Sequence, residues 1–207
     1  MPISRPMSRL DRLRCATRNA HALIEAVPAL SRLVAADLTH DIYVSVLQHL
    51  EAFHACIEPA IACALTGLRS ALVLLDGSRP QALAEDLAWF GVRPLPSPPI
   101  PMPDTPAGAL GMLYVVEGSG LGGRVIGRHL TDSLGVCPGQ GGSFYCRRDA
   151  ETVRWRWRHL CQVLEGPLPG DAPEGRLIEG AQVTFRFLDR WLRTIEIVPG
   201  MTAAAAP

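Results

Sequence analysis

Four of the six residues from 118 to 123, GSGLGG, are glycine, and they interrupt a long apolar run that begins near Leu110. As a pattern this is G-x-G-x-x-G, the fingerprint of a dinucleotide-binding turn. That turn needs a strand before it, a helix after it, and an acidic residue about 20 positions beyond. Around position 143 the chain reads GGSFYC, with no acid until Asp149 and no second strand, so the context excludes a nucleotide. Read as a helix the stretch is coherent. Leu110, Leu113, Tyr114, Leu121, Val125 and Ile126 keep a helical spacing through the glycines, and Gly111, Gly118 and Gly122 share one face. Each glycine inside a helix costs roughly 0.8–1 kcal/mol relative to alanine, so the cluster needs a reason. One reason is close packing of another helix. The other is a flat, rigid ligand, such as a planar macrocycle, lying against a backbone that bends because glycines do not hold it straight.

The remaining pattern is helical almost throughout. Apolar spacing predicts a helix over 8–27, capped by Ser8 and stopped by Pro28, and another over 39–65 in which Pro59 kinks or splits the rod. A short helix is expected over 68–75, and one over 78–90 with Ser78 as N-cap and Gly91 as its end. The segment 92–106 carries seven prolines and reads as an extended connector. Helices over 149–165 and 174–197 follow the glycine-rich stretch and the loop PGQGGS. Strand-like alternation survives only in LVLLD and RWRWR. The expectation is an all-α, single-domain fold over 1–198 with a tail at 199–207.

Composition narrows the function. The formal charge is zero, which gives no reason to expect nucleic acid or a membrane surface as partner. All 20 cationic residues are arginine, so an anion held by a side-chain ion pair is held by Arg or His. Six cysteines without a C-x-x-C pair, behind an N-terminus with no apolar signal core, point to reduced thiols in a cytoplasm. No apolar stretch approaches the ~20 residues of a membrane span. His40, His49, His54, His129 and His159 form no i, i+4 metal pair and read as structural or exposed.

In LRCATRNAHALIE (13–25), His21 shares a stripe with Arg14, Thr17, Arg18 and Glu25. An imidazole there has one nitrogen for a metal, while Glu25, one turn on, receives a hydrogen bond from the other and fixes the ring. Arg18 and Arg14, one and two turns towards the N-terminus, suit the carboxylates at the edge of an anionic macrocycle. A solvated polar face is the alternative reading of the same stripe.

Together the two stretches resemble the haem oxygenases, and especially the bacterial biliverdin-forming group found beside bacteriophytochromes. LRCATRNAHALIE resembles the proximal-helix motif, GSGLGG followed by RVI the distal-helix motif, and IEGAQVTFRFLDRWL the C-terminal helix. The resemblance implies haem sandwiched between an N-terminal proximal helix and a kinked, glycine-rich distal helix, with His21 as axial metal ligand. It implies oxidative cleavage of haem b, at once substrate and cofactor, to biliverdin, CO and ferrous iron, with O2 and electrons from an external reductase or ferredoxin. A bacteriophytochrome is the implied acceptor of the biliverdin. Gly118, Ser119 and Gly122 fall on the catalytic distal positions, and Gly123 on the adjoining cofactor contact. Ser119 stands where many members carry an acid, and a hydroxyl relays protons but supplies no charge. Arg154 and Arg158, in TVRWRWRHL, match basic positions near the propionates, unless that helix merely turns its arginines outward and Trp157 inward. A haem- or bilin-binding carrier with the same pocket is the alternative function.

Overall fold

The Ser8 side chain accepts a hydrogen bond from the Asp11 amide, and helix α1 (Arg9–Glu25) starts there. This is N-capping, in which a side-chain oxygen satisfies one of the amides a helix start leaves without an intrahelical partner. The same device opens α3 (His40–Ala64) at Thr39, α6 (Pro106–Leu134) at Thr105 and α8 (Ala150–Glu165) at Asp149. Between them lie α2 (Pro28–Arg32), α4 (Arg69–Leu72), α5 (Ser78–Trp89) and α7 (Ser143–Cys146), and α9 (Pro173–Leu192) closes the chain. The computed structural model describes residues 6–170 and 173–196, so the expected tail at 199–207 lies outside the described residues. Among the described residues there is no strand, only isolated bridges at Cys137. LVLLD is the end of α4 and a turn, and RWRWR is helix.

Three expectations change. Helix α3 runs unbroken through Pro59. The carbonyl left without its amide partner belongs to Ala55, which is exposed, as Pro59 is, so water can satisfy it on the outer face. Ser78 is not the cap of α5. Gly77 holds that position with φ 72°, and Asp76 Oδ1 accepts from both the Ser78 amide (3.1 Å) and the Ser78 hydroxyl (2.6 Å). The last helix ends at Leu192, short of 197.

The core is built where α6 crosses α9, with α3 behind α6 and α1 against α9. The crossing is close because glycines meet there. A Cβ on Gly111 would lie 2.0 Å from the Leu177 carbonyl oxygen, and one on Gly180 would lie 2.1 Å from the Gly108 carbonyl oxygen. These are backbone atoms that no rotamer change moves aside. Half of the glycine question is thereby answered: Gly111 belongs to helix packing, not to a ligand face shared with Gly118 and Gly122. Gly111→Ala forces α6 and α9 apart and is expected to destabilise the protein by about 1–3 kcal/mol or more, read as a lower urea midpoint at unchanged slope.

Candidate active site

A cavity of about 440 Å³ opens between α1, α3, α6, α9 and the α7–α8 corner, within the range of about 300–1,000 Å³ that small-molecule sites occupy. Ile24, Leu50, Phe53, Val115, Ile126 and Leu188 give it apolar walls, with His21, Glu25, His54, Arg79, Glu117 and Arg156 among its polar lining. The α7–α8 wall is held from α5. Buried Asp86 accepts from the Ser143 amide (2.6 Å) and the Phe144 amide (2.8 Å), which fixes α7 and so places Phe144, Tyr145, Arg147 and Arg148 on the cavity. Burial raises the Asp86 carboxyl above its ordinary range, and the two amide bonds pull against that shift.

Gly118, Ser119, Gly120, Gly122 and Gly123 of α6 all line the cavity. Gly120 and Gly122 differ in kind from Gly111. A Cβ on either would meet nothing within 4 Å. Packing inside the protein therefore does not require glycine at 120 or 122, although each costs the helix roughly 0.8–1 kcal/mol. A missing side chain facing an open cavity is a seat for something that must approach the backbone. Gly118 lies against the Trp157 ring (3.6 Å from an added Cβ) and Gly123 against Tyr145 (3.6 Å). The Ser119 hydroxyl donates to the Val116 carbonyl at 2.8 Å, which leaves its oxygen free as an acceptor.

On another wall, α1 presents His21 and Glu25. His21 Nδ1 lies 3.5 Å from Glu25 Oε2, so Nε2 is the nitrogen left for a metal. The imidazole is 58% exposed and meets Phe185 of α9 edge-on, with ring centroids 5.9 Å apart. Arg14, Arg18, Arg154 and Arg158 are not among the residues lining this cavity. Arg154 and Arg158 line a separate, shallower depression with Glu151 and Trp157, the arginines-outward arrangement of the α8 face. Arg14 is paired with Asp11 at 3.5 Å, and its charge acts to lower the Cys161 thiol of α8 against the larger effect of burial. Arg18 stands near Cys15, 3.6 Å from its sulfur.

A haem oxygenase of Xanthomonas campestris pv. campestris (strain 8004) is 38% identical over 120 residues, covering 55% of this chain and 70% of that protein. The chain belongs to the haem oxygenase family. It is therefore an enzyme, an oxidoreductase, and family membership decides against the non-catalytic carrier. No family model matches the chain. The fold is shared with the structure of haem oxygenase from Leptospira interrogans (TM-score 0.70, 19% identity, 91% of this chain and 100% of that one). It is shared equally with NO- and CO-bound haem oxygenase from Neisseria meningitidis (TM-score 0.72, 22% identity, 96% and 100%). Haem oxygenase-1 of Synechocystis sp. PCC6803, in complex with haem, superposes with TM-score 0.69 at 15% identity over 92% and 93% of the two chains.

This member of the haem oxygenase family carries a buried ionic cluster at one end of the cavity that the sequence reading passed over. His54, Arg79, Glu117 and Arg156 line the cavity, with Glu58 and Asp76 behind them. Glu117 Oε2 accepts from Arg156 Nε (3.1 Å) and Oε1 from Arg156 Nη2 (2.7 Å), and Oε1 also accepts from Arg79 Nη2. The signal was a single charge inside the apolar run LYVVEG, which an amphipathic reading leaves unexplained. His54 is 2% exposed and its Nδ1–H donates to Glu58 Oε1 at 2.9 Å. Burial lowers its pKa from the ordinary 6.5, so the ring is neutral at pH 7. Burial pushes Glu58 the other way, but the His54 bond and Arg79 outweigh it and hold the carboxyl below its usual range.

The sign of the His54 effect follows from linkage. Below pH 6.5 the unfolded chain binds a proton that the folded ring refuses, so stability falls with acidification by about 1.4 kcal/mol per pH unit until the folded pKa is reached. Glu58 acts only below its ordinary 4.5, which separates the two windows. His54→Gln, which keeps a donor for Glu58, is expected to flatten this slope relative to wild type between pH 6.5 and 5. Urea unfolding of the haem-free protein at pH 7, 6 and 5 reads the difference, and equal slopes would mean that His54 charges freely in the fold.

Proposed function

We propose that this chain cleaves haem b oxidatively to biliverdin, CO and ferrous iron, using O2 and electrons from a separate reductase or ferredoxin, in the cavity between α1 and α6. One observation carries the reading: Gly120 and Gly122 leave open space beside a backbone that gains nothing from glycine, in the same cavity as a histidine with a free ring nitrogen. The residues present fit the group. A porphyrin is flat, apolar across its faces and anionic at one edge, and the cavity offers apolar walls, an imidazole with a free ring nitrogen and a bare helix surface.

When bound, haem supplies the iron that activates O2 and the ring that is oxidised. The protein supplies position. His21 would hold the metal through Nε2, and Glu25, accepting from Nδ1, would fix the imidazole plane and raise its basicity. Gly118, Gly120, Gly122 and Gly123 leave the opposite side free of bulk. Ser119, its hydroxyl proton engaged by Val116, offers an acceptor for ordered water, and protons reach the site through that water. Arg14 and Arg18 from α1, with Arg154 and Arg158 from α8, would meet the carboxylates where the ring edge leaves the cavity. The likeness of both motifs to the bacteriophytochrome-associated group supports a bacteriophytochrome as acceptor of the product, in a cytoplasmic setting.

Purified protein mixed with haem is expected to give an intense Soret band, which ascorbate or a reductase with O2 converts to biliverdin absorption. Ferric–ferrous cycling without ring opening would overturn the reading. His21→Ala is expected to lose the imidazole that would hold the iron and with it turnover, with partial recovery on added imidazole. Glu25→Gln is expected to weaken haem affinity or turnover about tenfold. Gly122→Ala separates ligand from packing, since it should stabilise haem-free protein by about 0.5–1 kcal/mol while Gly122→Leu blocks haem seating. Normal turnover by Gly122→Leu would show that nothing lies against that face.

A further inference from the structure

The segment Gly118–Gly123 has little to hold it in place. Gly120 and Gly122 touch nothing that a side chain would reach, and Gly118 and Gly123 each meet one aromatic ring. Towards the C-terminus the next fixed points are Gly127, whose Cβ position lies 2.7 Å from the Tyr145 carbonyl oxygen, and buried Leu130. Towards the N-terminus the fixed point is Glu117, immediately before the first glycine. Its carboxylate is gripped by Arg79 from α5 and, in bidentate fashion, by Arg156 from α8. Those guanidiniums are themselves anchored, Arg156 to Asp76 (2.8 Å) and to the Leu74 carbonyl, and Arg79 to Glu58 (3.4 Å). Trp157, the neighbour of Arg156, packs on Gly118 and on Tyr114, with ring centroids 5.6 Å apart in the second contact.

We infer that Glu117 is a positioning residue: clamped by Arg79 and Arg156, it fixes where the bare glycine surface of α6 stands relative to His21. The inference rests on the cavity being the haem seat. Its reason is energetic. A buried ion pair seldom adds net stability over well-packed apolar side chains, so bulk stability is a poor explanation for three charged groups at this place. What such a group supplies is one geometry, because a carboxylate that leaves its two guanidiniums strands its own buried charge, while Glu58 and Asp76 hold Arg79 and Arg156 where they are. A helix segment without side chains has no interdigitating core to set its position, and the clamp replaces it. Both Glu117 oxygens are taken up by the guanidiniums. The residue acts through Gly118 and the turn that follows.

The test uses two variants of the whole chain. Glu117→Leu/Arg156→Leu removes one charge of each sign, so Arg79 keeps Glu58 as partner. Glu117→Asp keeps the charge but shortens the reach, so one carboxylate cannot meet both guanidiniums. In haem-free protein, amide hydrogen exchange across 118–126 is expected to accelerate about tenfold or more in the double variant and less in Glu117→Asp, while α3 amides stay within about twofold of wild type. In haem-loaded ferrous protein with CO, a single narrow C–O stretching band in wild type should broaden or split in Glu117→Asp. Wild-type exchange at 118–126 in either folded variant, or an unchanged band in Glu117→Asp, overturns the positioning role. If the double variant does not fold, Glu117→Asp decides alone. Failure of wild type to bind haem would sink the proposed function instead, and the exchange comparison, made without haem, still judges the clamp.

Discussion

The arrangement depends first on how closely α6 and α9 cross. With Gly108 and Gly111 on one helix and Gly180 on the other, backbone meets backbone, and no intervening side chain sets the separation. Helices normally pack with axes about 8–10 Å apart, at a distance set by the side chains between them. Here α9 is drawn in close, and it carries Phe185 beneath His21 and Leu188 and Leu192 into the cavity. The α1 wall also rests on α9, with Gln182 donating to the Ala16 carbonyl at 3.0 Å. The spacing between the histidine wall and the glycine wall is thus inherited from a crossing that contains neither.

Glycine consequently does two opposite jobs along one helix. At 111 and 127 it is demanded by neighbours already in the fold, and a larger residue collides with backbone atoms closer than 3 Å. At 120 and 122 nothing in the fold objects to a larger residue, and the helix would be stiffer with one. Positions where a protein gives up stability without a packing return are where function is to be sought, since sequences otherwise agree with their structure at every level. The contrast within a single 29-residue helix keeps composition and solvent the same on both sides of the comparison.

Much of this was legible in the sequence. The period of apolar residues located the long helices, and Ser8 marked the start of the first, because both signals are local. Helices α2 and α7 were not legible. Each is a turn or so of chain too short for a periodic signal, and α7 is held by Asp86, 57 residues away from Ser143. The same limit applied to the arginines of α8. Helical spacing puts Arg154 and Arg158 on one face and Arg156 on another, but which face enters the interior depends on Glu117, Asp76 and the Leu74 carbonyl, all brought from elsewhere. Gly111 was grouped with Gly118 and Gly122 because a helical wheel shows a face without showing what stands opposite it.

The absence of lysine, at first sight only a compositional habit, matters at the cavity's polar end. Burial pushes Arg79 down to about 10, and the guanidinium is still charged at neutral pH after that shift. A lysine starts about two units lower, and burial of the same kind would carry it to the edge of neutrality. It would also offer a point charge where Arg156 offers two parallel N–H groups that match both oxygens of Glu117. A neutralised or singly bonded partner would leave Glu117 free to turn or to take up a proton, and the position of the glycine segment would then follow pH. With arginine on both sides, the carboxylate stays gripped by both guanidiniums, and the surface facing the cavity stays in one place.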